Sequence, residues 1–198
     1  HVMARWPMWR KRLSGWQRQL EIWSAERRVK RVQQANILLD FTLVHGDEAL
    51  AEGLRDWVAE RLPAAGLFLD EMAALLDEQP VALDRFGRLA GSLEGAPHER
   101  AVNLKHQALL PLVAAVRLLA LRHGVRETDT RRRLVALVAR QAIDTATCRA
   151  LTAAHGRLQG LLLSEQRRNL AAGRAADGCV GVAHLGEDQH LLLRHDLQ

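Results

Sequence analysis

Apolar residues recur at helical spacing along most of the chain. Near the start, intervals of four, three, four and three residues predict an amphipathic helix, opened by Pro7, with an apolar stripe of Trp9, Leu13, Trp16, Leu20 and Trp23. A narrow stripe of this kind favours packing against another element. Base stacking beside basic residues is the alternative, but single-strand platforms usually lie on sheets or grooves.

Capping and breaking residues divide the remaining helical pattern. Capping residues are found at Asp47, at Thr128 or Asp129, and at Asp144, and stops are found at Pro63, Gly124 and Gly173. Together they predict helices over about 48–62, 64–78, 104–123, 129–142, 145–172 and 187–197. Between Leu83 and Asn103 the pattern dissolves into glycine and proline, and we expect a mobile loop or a weak hairpin there.

One segment departs from this pattern. From Ile37 to Val44 the chain is nearly continuously apolar and carries a single charge, Asp40, which predicts a strand buried on both faces. Its carboxylate then has to be hydrogen-bonded, paired, near a metal or at an open cleft. We therefore predict a mainly α fold, an antiparallel helical bundle with one N-terminal helix–strand segment.

The charge is unevenly distributed. The chain carries 28 Lys and Arg against 23 Asp and Glu, a formal net charge of +5, but the first 34 residues alone hold nine basic and two acidic residues. Beyond them, residues 40–99 are acidic and residues 126–174 are basic. Solvated helix faces in an arginine-rich protein are the favoured interpretation, and a cleft for a charged ligand is the alternative. A nucleic-acid partner is a weaker expectation that rests on the basic N-terminal residues.

Membrane and disulfide signals are missing. The longest apolar run, 108–121, is broken by Pro111 and Arg117, so a core helix is expected rather than a membrane span. No signal peptide is visible, and two cysteines, Cys148 and Cys179, make no disulfide framework. We expect a cytoplasmic protein without a membrane partner.

Motifs for a complete active site are also missing. No His-Glu-x-x-His, Cys-x-x-Cys pair, nucleophile elbow or adequate paired-aspartate motif occurs. Taken alone, the chain is not expected to be catalytically complete.

Several segments resemble a known family, the putative nucleotidyltransferase substrate-binding domain. That domain follows a catalytic domain similar to the one in protein-PII uridylyltransferases. The resemblance covers nearly the whole chain and is carried by Asn36 to Asp47, Asn103 to Leu121, Glu127 to Thr130, Gln166, Ala172-Gly173-Arg174 and Asp177-x-x-Val180.

The resemblance implies a division of the chain and of the chemistry. Residues 1–46 resemble a C-terminal remnant of the catalytic domain, and residues 47–198 the helical substrate-binding domain. The main metal-binding carboxylates would lie upstream of His1, and Asp40 would supply a third, catalytic carboxylate that binds Mg²⁺ in the full-length protein. No tightly bound cofactor is expected here. The family commonly has Arg where Thr42 stands, so this position departs from the pattern.

Three further positions match charged or polar family positions. Lys105, Arg117 and Gln166 are implied to bind substrate. The alternatives are a surface lysine, an arginine paired with a carboxylate of the bundle, and a hydrogen-bonded core amide.

The resemblance implies a function. The chain would be the substrate-binding region of an enzyme that transfers a nucleotidyl group from a nucleoside triphosphate to a protein or small-molecule acceptor, and it would be inactive alone. The alternative is a regulatory helical module of a CBS-type signalling protein. Expected partners are the nucleotide, the acceptor, upstream catalytic and optionally CBS domains, and optionally a second copy that packs on the tryptophan stripe.

Overall fold

The fold is mainly α, as predicted. A computed structural model describes residues 5–25, 29–89 and 101–198. These residues form α1 (Leu13–Ala25), α2 (Val29–Leu39), α3 (Glu48–Arg61), α4 (Gly66–Asp77), β1 (Ala101–Asn103), α5 (Leu110–Arg122), α6 (Thr130–Ala139), α7 (Thr145–Ala171), β2 (Cys179–Gly181) and α8 (Glu187–Asp196). A π-helical turn, Lys105–Leu109, immediately precedes α5.

The predicted strand around Asp40 is wrong. Helix α2 occupies this part of the chain up to Leu39, and its buried residues Val32, Ala35 and Leu39 are three and four residues apart, which is helical spacing. Beyond the helix, Val44 is 95% exposed. The apolar run therefore combines the last turn of a helix with an exposed loop, and its continuity concealed the helical period.

The predicted helix caps are confirmed. A carboxylate oxygen of Asp47 accepts a hydrogen bond from the Ala49 amide at 2.9 Å, and Asp129 accepts one from the Arg132 amide at 3.0 Å. A carboxylate oxygen of Asp144 accepts a hydrogen bond from the Thr147 amide at 2.6 Å. Because each cap satisfies an amide that has no partner inside the helix, these three starts were readable from the sequence.

The chain divides into two compact units. Unit 1 comprises residues 1–77 and 116–142, and unit 2 comprises residues 78–115 and 143–198. The predicted boundary after residue 46 stays a prediction. In unit 1, Leu20 and Trp23 are each 1% exposed, and Trp9 lies 6.5 Å from Trp23 between ring centroids. The tryptophan stripe is thus a packing face of the unit 1 core, as the narrow spacing indicated.

The core of unit 2 is built around a short antiparallel strand pair. Ala101 pairs with Gly181 and Asn103 with Cys179, and the central residues Val102 and Val180 are almost fully buried. They pack with buried residues of the π-helical turn, α7 and α8, namely Ala108, Leu158 and Leu193. Three-residue strands lie below the length at which a sequence pattern is recognisable, so the pair was not predicted.

The predicted loop or hairpin after Leu83 lies partly within the described residues. An antiparallel bridge joins Leu83 to Leu89, and Asp84 accepts hydrogen bonds from the amides of Phe86 and Arg88. This part is a tight hairpin-like turn. The remainder of the predicted loop, at 90–100, lies outside the described residues.

Within the described ranges, no helix combines the length and the apolar character that crossing a membrane requires.

The end of α5 depends on a glycine, and we predict that Gly124→Ala destabilises unit 1. Gly124 has φ +61°, and a Cβ atom there would lie 2.8 Å from the carbonyl oxygen of Ala59. Alanine would be strained in this left-handed backbone conformation and would also clash with the Ala59 carbonyl. The two effects together should lower the free energy of unfolding by about 2 kcal/mol. Urea titration followed by tryptophan fluorescence measures it.

Gly173→Ala is the matched control, and far-ultraviolet circular dichroism follows both variants, because Gly173 lies in unit 2 and all five tryptophans lie in unit 1. Gly173 also has a positive φ, +67°, but an added Cβ would meet no described atom within 4 Å. It should therefore cost only the conformational strain, about 1 kcal/mol. Equal losses in the two variants would contradict the role assigned to the Ala59 carbonyl.

Candidate functional site

Asp40 is the centre of a three-residue ion cluster in unit 1. It directly follows the last residue of α2. One carboxylate oxygen accepts hydrogen bonds from Nε of Arg117, at 2.9 Å, and from Nη2 of the same guanidinium. The other oxygen accepts a hydrogen bond from Nη2 of Arg133 at 2.6 Å. One carboxylate thus bridges two guanidinium groups, from α5 and α6.

Burial makes this cluster electrostatically significant. The Arg133 side chain is only 3% exposed, that of Arg117 15% and that of Asp40 30%. Burial raises the pKa of Asp40, but hydrogen bonds and charges from Arg117 and Arg133 outweigh it, so the pKa lies below its ordinary value. Burial lowers the pKa of Arg133, and the charge of Asp40 offsets part of this effect. The guanidinium stays protonated at neutral pH.

The cluster does not fit a Mg²⁺ site in this arrangement. Mg²⁺ needs free oxygen ligands, whereas both oxygens of Asp40 face guanidinium groups. No group of three His, Cys, Asp or Glu side chains that could hold a metal ion occurs in the described part of the chain. The catalytic and metal-binding roles of Asp40 stay predictions that would require the guanidinium groups to move away.

A polar cavity of about 390 Å³ lies in the same unit and includes Thr42, the position that departs from the family pattern. Arg126, on its wall, contacts Glu52 at 2.6 Å and Asp56 at 2.8 Å. Arg55 lies over the ring of Phe41, 5.2 Å from its centroid. Much of the charge around the cavity is therefore already paired within the protein.

Lys105 and Gln166 meet at one turn of unit 2. Nε2 of Gln166 donates a hydrogen bond to the carbonyl oxygen of Asp177 at 3.1 Å, and the Lys105 amide donates one to Gly178 at 3.3 Å. The side chain of Lys105 itself is exposed at the start of the π-helical turn. The structure thus gathers two predicted substrate-binding residues and the Asp177-x-x-Val180 segment around one turn, while Asp40 and Arg117 belong to unit 1.

Sequence reasoning missed Arg133 and Gly178. Arg133 shares the buried face of α6 with Thr130, Leu134 and Leu137, so a charge on an apolar stripe was the available signal. At Gly178 a Cβ atom would lie 2.8 Å from Cβ of Lys105. A contact so distant along the chain leaves no local signal.

We predict that Asp40→Asn lowers the free energy of unfolding by about 3 kcal/mol, because it leaves the buried Arg133 charge without a counter-ion. The loss should shrink on acidification: a carboxyl whose folded pKa is lowered stabilises the protein above its unfolded pKa, about 3.9, and loses this as pH falls through the folded pKa. Urea titrations between pH 7 and pH 3 measure both effects.

Asp56→Asn is the control, since it removes the same charge from a 52% exposed partner of Arg126, where an ion pair contributes about 1 kcal/mol or less. Arg133→Met should restore part of the stability lost in Asp40→Asn, because removing both buried charges costs less than removing one. Additive losses in the double variant would refute the coupling.

We also predict that Gly178→Ala disturbs the turn that joins Lys105 and Gln166. The new methyl group would meet Cβ of Lys105 at 2.8 Å and the side-chain oxygen of Asn103 at 2.9 Å, at a cost of about 2 kcal/mol. Amide hydrogen exchange should accelerate at Lys105, whose amide bonds to Gly178. Unchanged exchange there would show that the turn tolerates a side chain.

Comparison with known proteins identifies the family. No curated protein and no solved structure matches the chain. Residues 66–198 match the model of the family described as "Putative nucleotidyltransferase substrate binding domain". This match covers Lys105 and Gln166 with the turn that both contact, as well as Arg117 and Arg133, but not Asp40. The chain therefore belongs to the nucleotidyltransferase substrate-binding domain family.

Proposed function

We propose that this chain is the substrate-binding region of a nucleotidyltransferase, which transfers a nucleotidyl group from a nucleoside triphosphate to a protein or small-molecule acceptor. The family match over residues 66–198 is the observation that carries the proposal. The catalytic unit, similar to that of protein-PII uridylyltransferases, is expected N-terminal to this region. It would supply the Mg²⁺-binding carboxylates, and this region would hold the acceptor.

Lys105 is the residue best placed for such a role. Its ammonium group is exposed, while its backbone is fixed by the hydrogen bond to Gly178 and by the π-helical turn that begins at this residue. Single π-turns occur frequently at functional sites. A cation on a fixed backbone can attract an anionic group of the acceptor or of the nucleotide, and its binding then orders only the side chain and not the backbone.

Gln166 and Arg117 have supporting roles in this proposal. The amide of Gln166 donates to the Asp177 carbonyl, so it fixes the turn beside Lys105. Arg117 is bound to Asp40 through Nε and Nη2 and is 15% exposed, which leaves little of its guanidinium group for a ligand. We therefore assign Lys105 the direct contact and the other two residues the positioning of the surrounding elements.

The test uses the longer protein with its catalytic unit. We expect it to transfer label from a nucleoside triphosphate carrying a radiolabelled α-phosphate to an acceptor, and we expect Lys105→Ala to lower kcat/KM about tenfold, which corresponds to about 1.4 kcal/mol. The effect should fall mainly on KM of the acceptor. Isothermal titration calorimetry should show weak Mg²⁺-dependent nucleotide binding to residues 1–198 alone.

Two controls separate charge from structure. Lys105→Arg keeps the cation and should retain most of the activity, whereas Arg149→Ala removes an exposed charge whose Nε donates to Thr145 in its own helix and should have no effect. Full activity in Lys105→Ala would remove the role of this residue. Absence of any transfer by the longer protein, with all nucleotides tested, would refute the function itself.

A further inference from the structure

An open apolar groove lies between α7 and α8 of unit 2. A cavity of about 310 Å³ is lined by leucines of both helices, Leu161 from α7 and Leu192 and Leu193 from α8. At one end the guanidinium of Arg157 binds the carboxylate of Asp196, whose side chain is only 3% exposed. Separating a buried carboxylate from its partner is strongly unfavourable, so the ion pair joins α7 to α8 at this end of the groove.

The groove continues along α7. A second cavity, of about 490 Å³, shares Gly160 and Ser164 with the first and extends to Leu163, Arg167 and Arg168. From Arg157 to Arg168 an α-helix rises about 16 Å, the length of about three turns of a second helix. The groove therefore has the dimensions of a helix-docking site rather than of a pocket for a small ligand.

Its surface has the character of an interaction site. Leu163 is 59% exposed and Leu192 is 43% exposed, and each lines one of the two cavities that share Gly160 and Ser164. Exposed apolar side chains grouped along one groove are typical of a surface that another protein covers. At Gly160, which lines both cavities, an added Cβ atom would meet no described atom within 4 Å. A partner backbone or a large apolar side chain can approach α7 closely at this point.

The charges indicate what the partner carries. The two cavities are lined by three arginines and one carboxylate, and that carboxylate, Asp196, is bound by Arg157. Arg168 contacts Glu165 at 2.6 Å, and Arg167 is exposed at the edge. A two-fold dimer pairs a patch with a second copy of itself, and the one carboxylate that this patch offers, Asp196, is already bound by Arg157. An acidic partner is electrostatically favoured.

We propose that this groove docks an acidic amphipathic helix of a partner protein. Apolar side chains of that helix enter beside Gly160 and contact Leu161, Leu163 and Leu192, and its carboxylates lie along the edge that carries Arg167. The site is distinct from the turn with Lys105 and Gln166, and the inference holds whether or not the chain takes part in nucleotidyl transfer.

The probe is a fluorescein-labelled helical peptide of about 18 residues, long enough to be partly helical alone. It has leucines three and four residues apart and glutamates on both flanks, and a second peptide carries lysine in place of glutamate. Fluorescence anisotropy with the full chain should give a Kd of about 10 μM for the glutamate peptide. The lysine peptide should bind at least about tenfold more weakly.

Gly160→Leu should fill the groove and raise the Kd of the glutamate peptide at least about tenfold. The change does not threaten the fold, because leucine favours helix more than glycine does and the position is open. Gln159→Leu, at an exposed neighbour outside both cavities, is the matched control and should leave the Kd unchanged. Leu192→Asp, on α8, should independently raise the Kd of the glutamate peptide.

Arg167→Glu should reverse the charge preference, so that the glutamate peptide binds more weakly and the lysine peptide binds more tightly. Equal affinity for the two peptides, or an unchanged Kd in Gly160→Leu and Leu192→Asp, would overturn the proposal. Sedimentation of the chain alone supplies the last test. A dimer that Gly160→Leu dissolves would assign the groove to a second copy and also overturn it.

Discussion

The ion pairs of the Asp40 carboxylate join three parts of unit 1. This carboxylate is the counter-ion for two guanidinium groups, and one of them, Arg133, is almost completely removed from water. A charge buried this deeply is stable only beside an opposite charge with well-formed hydrogen bonds. Because Asp40 follows α2 while the two arginines come from α5 and α6, the cluster fixes the end of one helix against two others within the same unit.

Most helices were predictable because their signals are local. The capping carboxylates at Asp47, Asp129 and Asp144 act on amides two or three residues away, so the sequence contains both partners. The C-terminal part of helix α2, at 35–39, was missed for the opposite reason. Its apolar positions merge with an exposed apolar loop, and a continuous apolar run does not distinguish helix from strand. The charge of Asp40 is stable in this unit because it neutralises Arg133, which lies 93 residues away in the sequence.

Two residues of the candidate site were predicted from the sequence, but the contacts that bring them together were not. The family resemblance selected Lys105 and Gln166, and the fold brings both to the turn at Asp177 and Gly178. The backbone hydrogen bonds and the close approach at Gly178 depend on the strand pair β1–β2, which is too short to leave a pattern. The groove between α7 and α8 is likewise a property of two packed helices, since its leucines separately resemble ordinary core positions.

Unit 1 is built from two separate parts of the chain, and the family match begins inside the first of them, at residue 66. The start of the match is therefore not the start of a folded unit. Residues 66–198 include Arg117 and Arg133, but the carboxylate that neutralises them lies outside this range. Inheritance of the matched region alone would transmit two cations without their counter-ion. In this chain the charge balance of the matched region therefore extends beyond its sequence boundary, and a protein cut at residue 66 would contain a buried guanidinium group without the carboxylate that neutralises it.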